Sequence, residues 1–390
     1  MHKINLPLGT RAEFGEGALK KQTVIADLHR CLQARNFMKV DTPLLEYQEV
    51  FANFDLKQMR TYQLLDKNNQ TVVLRPDLTL PIARLLATTN IKLPEKFYYV
   101  GDLFKIAKEL SGRNNQMTQA GIELVGYTSI KAELECLLLI NRISRKWLDG
   151  RVKIEIGHAR FADDLLSSLT IDEDLKQQIK QTLFHKKIPE YENLIALFAD
   201  RPVYPFLQKW PRLFGSIQAV AQMLKGIDLT PSAKRALTKV MTVADLIAKI
   251  PGQEVMIDLS AAPPQQYYTG LTFKGFVDDL PDYLFSGGRY DQLLADFQSQ
   301  AEAAVGMGID IDLLAERIKL PEKQQRKTYL FFQADQAAQA AKILAEHNDL
   351  VLSLEDDWQT AARKAHAIGA DLLKINEKGE VEHVFENSFD

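Results

Sequence analysis

The sequence predicts an α+β protein: a sheet flanked by helices, interrupted by a helical insertion and followed by a small α/β domain. Three observations carry this expectation. Short β-branched or aromatic runs bounded by turn residues occur at 71–74, 97–100 and 121–127 and return at 255–259, 267–276 and 304–311, as sheet strands require. Between the two groups, from about 161 to 250, apolar residues recur at helical spacing with few strand signals, so a helical segment divides the sheet-forming halves. Beyond a charged, proline-bearing stretch at 321–327, strand and helix patterns begin again, which marks a linker and a second folding unit.

Taken in order, residues 18–36 place Val24, Ile25, Leu28 and Leu32 at helical spacing, an amphipathic helix that should end near Arg35-Asn36. A strand over 37–40 follows. Thr42-Pro43 comes next, and because proline lacks a ladder donor this segment is an edge, a bulge or an interface strand. The insertion is marked by helical periodicities such as 165–169 and 240–247. The expected division is a first domain over 1–320, with the insertion at about 161–250, and a small C-terminal α/β domain over 328–390. In that tail a strand opens at Thr328-Tyr329 and a helix over 358–368 stops at Gly369, a residue suited to a left-handed cap. A strand at 372–375 then precedes the turn Glu377-Lys378-Gly379.

With 390 residues, 46% apolar and 25% charged, the chain can bury a sizeable core in about two or three domains. A formal net charge of -3 does not suggest a polyanion as main partner, because nucleic-acid binders concentrate positive charge. Cys31 and Cys136 form no ligand-spaced or disulfide-like pattern, and a reducing cytoplasm fits them best. Residues 1–9 hold no apolar signal core, and no later run approaches the roughly 18 apolar residues of a membrane span; neither export nor membrane insertion is expected. No phosphate-binding glycine loop and no complete dinucleotide fingerprint occurs, and the seven histidines lack metal spacing, so no metal or cofactor is expected.

Three segments stand out: Leu74-Arg75-Pro76-Asp77-Leu78-Thr79, then Tyr99-Val100-Gly101-Asp102-Leu103-Phe104-Lys105, then Gln116-Met117-Thr118-Gln119-Ala120-Gly121-Ile122-Glu123. Together they resemble the histidyl-tRNA synthetase family. The resemblance runs from about 6 to 314 and includes the motif 1 helix and strand ending near Thr42-Pro43-Leu44-Leu45-Glu46, a motif 2 hairpin of unaltered length, and Ser286-Gly287-Gly288-Arg289-Tyr290-Asp291 before motif 3. It implies a class II aminoacyl-tRNA synthetase-like antiparallel sheet. It also implies a histidine pocket, with Asp77 and Thr79 where the family has a glutamate and a threonine, and with matching contacts at Gln119, Glu123, Tyr267, Tyr268 and Tyr290. Those types suit the ligand, since an ammonium needs anionic or carbonyl acceptors and an imidazole N–H needs a carboxylate or phenol oxygen. Asp77 is one methylene shorter than the family's residue. Read singly, Gln119 and Glu123 fit a solvent-facing strand surface, and Tyr267 and Tyr268 fit a core.

The resemblance also exposes losses. Adenylation builds negative charge at phosphorus that preorganised cations must meet. This chain carries Lys105 at the motif 2 arginine, Ala107 at a glutamate that helps to seat ATP, Pro263 in Pro263-Pro264-Gln265-Gln266 at a catalytic arginine, and Ile311 in Gly308-Ile309-Asp310-Ile311 at the motif 3 arginine. Arg113 persists in the motif 2 loop as a candidate anion contact. Losing one oxyanion-type donor typically costs about 3 kcal/mol, so no catalytic residue is expected for adenylation. After Lys327 the tail is short and carries the acidic runs Glu355-Asp356-Asp357 and 382–390, which repel phosphate.

Such a chain resembles the regulatory partners of short-form ATP phosphoribosyltransferase, which derive from the synthetase family. By that resemblance it forms a homodimer through the motif 1 surface, joins the catalytic phosphoribosyltransferase subunit in a hetero-octamer, and transmits feedback from L-histidine, the effector, in histidine biosynthesis. In the implied pocket Glu123 and Tyr268 read the imidazole, Asp77, Thr79 and Gln119 hold the amino end, and Tyr290 closes the site. The rivals are an active histidyl-tRNA synthetase and a class II-like ligase for another amino acid; both require the lost cations.

Overall fold

The computed structural model describes residues 4–51, 61–107, 113–280, 282–298, 300–320 and 327–384. It divides into two units, Met1–Lys319 and Leu320–Asp390. The expected linker at 321–327 falls outside the described residues except for Lys327, as does the end of the acidic run at 385–390.

The first unit opens with helix α1 (Gly15–Ala34). Val24, Leu28 and Leu32 form its buried stripe, and Asn36 ends it in the left-handed region with φ 59, a conformation that asparagine tolerates better than most residues. Strand β1 (Met38–Lys39) runs parallel to β5 (Glu95–Phe104), and the Val40 amide extends the ladder to the Tyr98 carbonyl at 2.8 Å. The strand is shorter than the expected 37–40 because Thr42-Pro43 turns away. Arg75 holds that turn, donating to the Thr42 carbonyl and Oγ1, to the Pro43 carbonyl at 3.3 Å and to the Asp102 carbonyl at 2.8 Å. A small second sheet follows, in which β4 (Thr71–Leu74) is flanked by β2 (Leu45–Tyr47) and β3 (Gln63–Leu65). Helix α2 (Thr79–Thr88) leads from it to β5 and β6 (Gln116–Val125), an antiparallel hairpin in continuous register from Glu95↔Val125 to Phe104↔Gln116.

Helix α3 (Lys131–Trp147) and strand β7 (Lys153–His158) come before the insertion. The strand bears no signal among the runs read from the sequence, although Ile154 and Ile156 alternate into the core. The insertion spans α4 (Phe161–Leu166), α5 (Glu173–Phe184), α6 (Ile188–Ile195), α7 (Tyr204–Lys209), α8 (Ile217–Met223) and α9 (Pro231–Ala248). It builds its own core: the rings of Phe161, Phe206 and Trp210 meet with centroids 5.5 to 6.3 Å apart. It is not wholly helical. Strand β8 (Phe214–Gly215) pairs with β9 (Glu254–Asp258), and Trp210 Nε1 donates to the Leu259 carbonyl at 2.8 Å, so the insertion extends the sheet at its edge.

Strands β10 (Leu271–Phe276), β11 (Phe285–Arg289) and β12 (Ala304–Asp310) complete a nine-stranded sheet of order β1-β5-β6-β12-β11-β10-β7-β9-β8, and α10 (Ile311–Arg317) follows. The pairs β1 with β5 and β7 with β9 are parallel and the others antiparallel. Strand β10 starts later than the expected 267–276. Residues 267–270 form a turn whose Thr269 and Gly270 amides both reach the Arg289 carbonyl, at 2.7 and 3.3 Å. Discontinuity in sequence does not prevent one sheet, because β6 from the first half pairs directly with β12 from the second.

The second unit has strand order β14-β13-β15-β16, with β13 (Thr328–Phe331) parallel to both β14 (Leu350–Leu352) and β15 (Asp371–Ile375), and β16 (Val381–Val384) antiparallel to β15. Helix α11 (Ala337–Glu346) covers Leu330 and Ile375, while α12 (Trp358–Ala367) covers Phe331 and Leu372 on the other face. Gly369 closes α12 at φ 66 and Gly379 takes φ 81 in the turn before β16. Part of the acidic run here is local structure: Asp357 caps α12 through the Thr360 amide at 2.8 Å, and Glu355 pairs with Lys364 at 2.7 Å. Among the described residues no helix is long and apolar enough to cross a membrane.

One buried ion pair fixes α3 to β11. Arg289 Nε and an Nη each donate to Glu133 at 2.7 Å, and the guanidinium also reaches the Tyr127 carbonyl and Asp291, both at 3.1 Å. Removing one partner of a buried pair strands the other's charge. Glu133→Ala is expected to cost about 3 kcal/mol or more, read from the denaturation midpoint, whereas Glu133→Gln, which still accepts one donor, costs less.

Candidate functional site

The side-chain alternation of β6 selects the site. Ala120, Ile122 and Leu124 point into the core on one face, leaving Gln119, Gly121 and Glu123 on the other. Directly opposed residues of neighbouring strands share that face: Tyr99 and Gly101 on β5, Gly306 and Gly308 on β12. The glycines make a floor without side chains. A Cβ at Gly306 would lie 1.7 Å from Glu123 Oε2, and one at Gly121 would lie 2.3 Å from the Tyr99 hydroxyl, so only glycine leaves room for these groups to lie flat on the sheet.

Glu123 is 1% exposed and its two oxygens are held from different elements. Thr79 Oγ1, in the first turn of α2, donates to Oε1 at 2.8 Å, and the Tyr290 hydroxyl, just after β11, donates to Oε2. Burial pushes the carboxyl up to about 8, with Asp77 adding to the rise against the lowering effect of the two hydroxyls. Asp77 sits at the start of α2, and its Oδ1 accepts from the Leu80 amide at 2.9 Å. Its short side chain therefore does capping work that a longer glutamate would overshoot. Burial raises its carboxyl too, offset by the neighbouring Lys105 and by backbone amides. The Tyr99 hydroxyl donates to Gln119 Oε1 at 3.2 Å.

Three tyrosines roof the cleft. Tyr267 meets Tyr268 and Tyr290 edge to face, with centroids 5.0 and 5.6 Å apart, and Tyr268 and Tyr290 are tilted at 6.4 Å. Arg289 explains the local motif: anchored to Glu133, it fixes the backbone that turns Tyr290 toward Glu123, while Gly288 leaves space for the Tyr268 ring. The cleft is lined by Asp77, Thr79, Tyr99, Gln119, Glu123, Gln265, Tyr267, Tyr268 and Tyr290, and its free volume is about 20 Å³, roughly one water. A ligand of amino-acid size enters only by displacing a wall.

All seven expected pocket residues thus line one cleft, and Gln119 and Glu123 face it rather than solvent. Tyr99, Gln265 and the glycine floor also line it, although none is among the expected contacts. Two-residue alternation from Gly101 and the Gly306-Met307-Gly308 spacing are the signals that point to them. Arg113 lies elsewhere, ion-paired with Asp282. The positions that depart from the synthetase motifs are occupied by other structure. Ile311 is fully buried at the start of α10, the Ala107 amide donates to Asn115 Oδ1 at 2.8 Å, and Pro263 and Pro264 line a narrow recess with Glu155, Asp258 and Lys274. Lys274 is already paired with Glu155 at 3.1 Å. Burial pushes the Asp310 carboxyl up to about 6, helped by Asp312 and Asp282. Among the described residues no group of His, Cys, Asp and Glu is arranged to hold a metal ion.

A sheet of this topology, with the glycine floor and tyrosine roof over one carboxylate, defines a class II synthetase-like protein. The model of the family described as histidyl-tRNA synthetase matches residues 15–314. A relative from Lactiplantibacillus plantarum named ATP phosphoribosyltransferase regulatory subunit is 43% identical over 96% of this chain and 98% of its own length. One of the same name from Limosilactobacillus fermentum is 42% identical over 98% and 99%. A crystal structure described as an ATP phosphoribosyltransferase regulatory subunit/histidyl-tRNA synthetase from Bacillus halodurans superimposes with a TM-score of 0.78 at 26% identity, covering 93% of this chain and 97% of that one. The chain belongs to the histidyl-tRNA synthetase family, within the branch of ATP phosphoribosyltransferase regulatory subunits.

Two outcomes test the site's construction. Gly306→Ala drives a methyl into Glu123 and is expected to destabilise the fold by about 1–3 kcal/mol, as overpacking does, measured by denaturant titration. Glu123 releases its proton near 4.5 when unfolded and near 8 when folded. Its contribution to stability is therefore present below the lower value and is lost as pH rises to the upper. Glu123→Gln removes this dependence, so the Tm difference, variant minus wild type, should climb between about pH 5 and about pH 8 and then level off.

Proposed function

We propose that the chain is the non-catalytic regulatory subunit of a short-form ATP phosphoribosyltransferase, required by the catalytic subunit for the first step of histidine biosynthesis and carrying feedback by L-histidine. It works as a homodimer within a cytoplasmic hetero-octamer. The histidine site is the cleft over β6: Glu123 and Tyr268 meet the imidazole, Asp77, Thr79 and Gln119 receive the α-ammonium, and Tyr267 and Tyr290 close over the ligand.

The observation that carries this reading is the buried Glu123 carboxyl, held by Thr79 and Tyr290 beneath a tyrosine roof in a cleft rich in acceptors. An imidazole N–H finds its partner there. Where the synthetase motifs carry arginines the chain has Pro263 and Ile311, and its Arg113 is ion-paired with Asp282. Without preorganised cations the charge that builds at phosphorus in adenylation is unmet. Feedback also requires histidine to bind one assembly state better than another, because equal affinity shifts nothing. A cleft that must open by moving tyrosines and α2 supplies such a difference, since contacts to the catalytic subunit that resist or favour the opening change the histidine affinity by the same factor in reverse.

Calorimetry on the purified chain should show histidine binding that Glu123→Ala abolishes, together with feedback inhibition in the reconstituted complex; unchanged affinity or feedback would refute the assignment. Pyrophosphate exchange with histidine and ATP should stay at background, and sustained exchange would favour an active synthetase instead. The affinity should also depend on pH. The bound pair of Glu123 and imidazole shares one proton. Below about 6.5, the ordinary imidazole value, the ligand must shed a proton to bind. Above about 8 the pair must take one up, because free Glu123 is then ionised. A plateau with two falling limbs follows, and Glu123→Gln removes the share of the upper limb that belongs to this carboxyl.

A further inference from the structure

We propose that Lys186 is a positioning residue for the histidine cleft: from the helical insertion it pins the root of the segment that carries Tyr267 and Tyr268. This deepens the histidine-binding reading and rests on it. The segment, 259–268, joins β9 to β10 and supplies Gln265, Tyr267 and Tyr268 to the cleft. With a free volume of about 20 Å³ the cleft admits an amino acid only when a wall gives way, so whatever holds this wall at its ends governs how the ligand is enclosed.

The two ends are held by different parts of the chain. At the far end Thr269 and Gly270 hang on the Arg289 carbonyl, and the Asp291 amide donates to Thr269 Oγ1 at 3.0 Å; this root belongs to the sheet. The near root belongs to the insertion. The Leu259 amide donates to the Leu213 carbonyl at 3.0 Å, Trp210 Nε1 donates to the Leu259 carbonyl, and Lys186 Nζ donates to Ser260 Oγ at 2.6 Å and to the Ser260 carbonyl at 3.1 Å. Ser260 in turn donates from its amide and its hydroxyl to Asp258 Oδ1, at 2.7 and 2.8 Å, which ties the lysine's hold to the last residue of β9. Between the roots stand Pro263 and Pro264, which have no amide to donate to a strand ladder, so the roots bear more of the segment's placement.

Lys186 departs from ordinary surface behaviour in two ways. It lies in the turn between α5 and α6 with φ 55, the left-handed region where a long side chain is strained and glycine or asparagine is usual. Although the residue is exposed, its ammonium points inward, to a serine that is fully buried and to the Pro211 carbonyl at 3.2 Å, whereas surface lysines ordinarily keep theirs in water. Both features follow when the turn serves to deliver the ammonium. Glycine would relax this backbone and lose the anchor; lysine accepts the strain and brings three donors to one point.

The test separates placement of the tyrosine roof from general stability. Because glycine suits φ 55, Lys186→Gly deletes the side chain without a backbone cost, and Lys186→Asn, too short to reach Ser260, is a second deletion of the same kind. Calorimetry on the full chain should show histidine binding about fivefold or more weaker in both variants. Lys186→Arg, which can still donate to Ser260, should stay within about twofold of wild type. The loss should also run through the roof: in a Tyr267→Leu background, where the roof is already loosened, Lys186→Gly should cost less than about twofold further. A lysine with a merely structural role would shift the Tm and leave the affinity alone. Unchanged histidine affinity in Lys186→Gly and Lys186→Asn, or an equal loss with and without Tyr267, would therefore overturn the inference and leave the histidine site standing. Wild type that binds no histidine would overturn the histidine reading itself, and this inference with it.

Discussion

The buried carboxyl of Glu123 is the constraint on which the site depends. It lies in the middle of a sheet, in a position where an unpartnered polar group would be strongly unfavourable, and it is tolerated because Thr79 and Tyr290 each supply a hydroxyl to one oxygen. Those hydroxyls come from the start of α2 and the end of β11, so a single side chain ties together three segments far apart in the chain. The sheet has adapted around it: Gly306 is directly opposite, with no room for a methyl, and Arg289, the residue before Tyr290, is locked to Glu133 on α3. A wall built of such mutually dependent contacts holds its position or moves as a unit, which is the property a ligand-sensing site requires.

The electrostatics of the same face divide into two zones. Over β6 and α2, carboxylates and phenols dominate, and burial drives Glu123 and Asp77 toward their neutral forms. Elsewhere in the same unit Ile311 is in the core, Lys274 pairs with Glu155, and Arg113 pairs with Asp282.

Several features are legible in the residues alone. The amphipathic stripe of α1, the left-handed glycine after α12 and the interruption of the sheet by helices follow from short-range rules, because periodicity and backbone sterics act within a few residues. Strand β7 is hard to read because its Ile-Glu-Ile alternation is brief and lies between a helix and the insertion, and the insertion's own strand β8 is too short to leave a pattern. The turn at 267–270 resembles a strand in sequence because its paired tyrosines have strand propensity. A carbonyl across the sheet, that of Arg289, overrides the propensity by accepting both following amides.

By itself the sequence determined the chemical inventory: which acceptors, phenols and cations the chain owns, in which motifs, and which arginines it has given up. Only the tertiary structure decided what each does. That Glu123 is buried rather than solvent-facing, opposite Gly306, and that Arg113 is paired with Asp282 both depend on which distant segments meet. Register is a long-range property, set when β6 pairs with β12 across an inserted helical segment, and no local pattern encodes which distant residue will stand opposite.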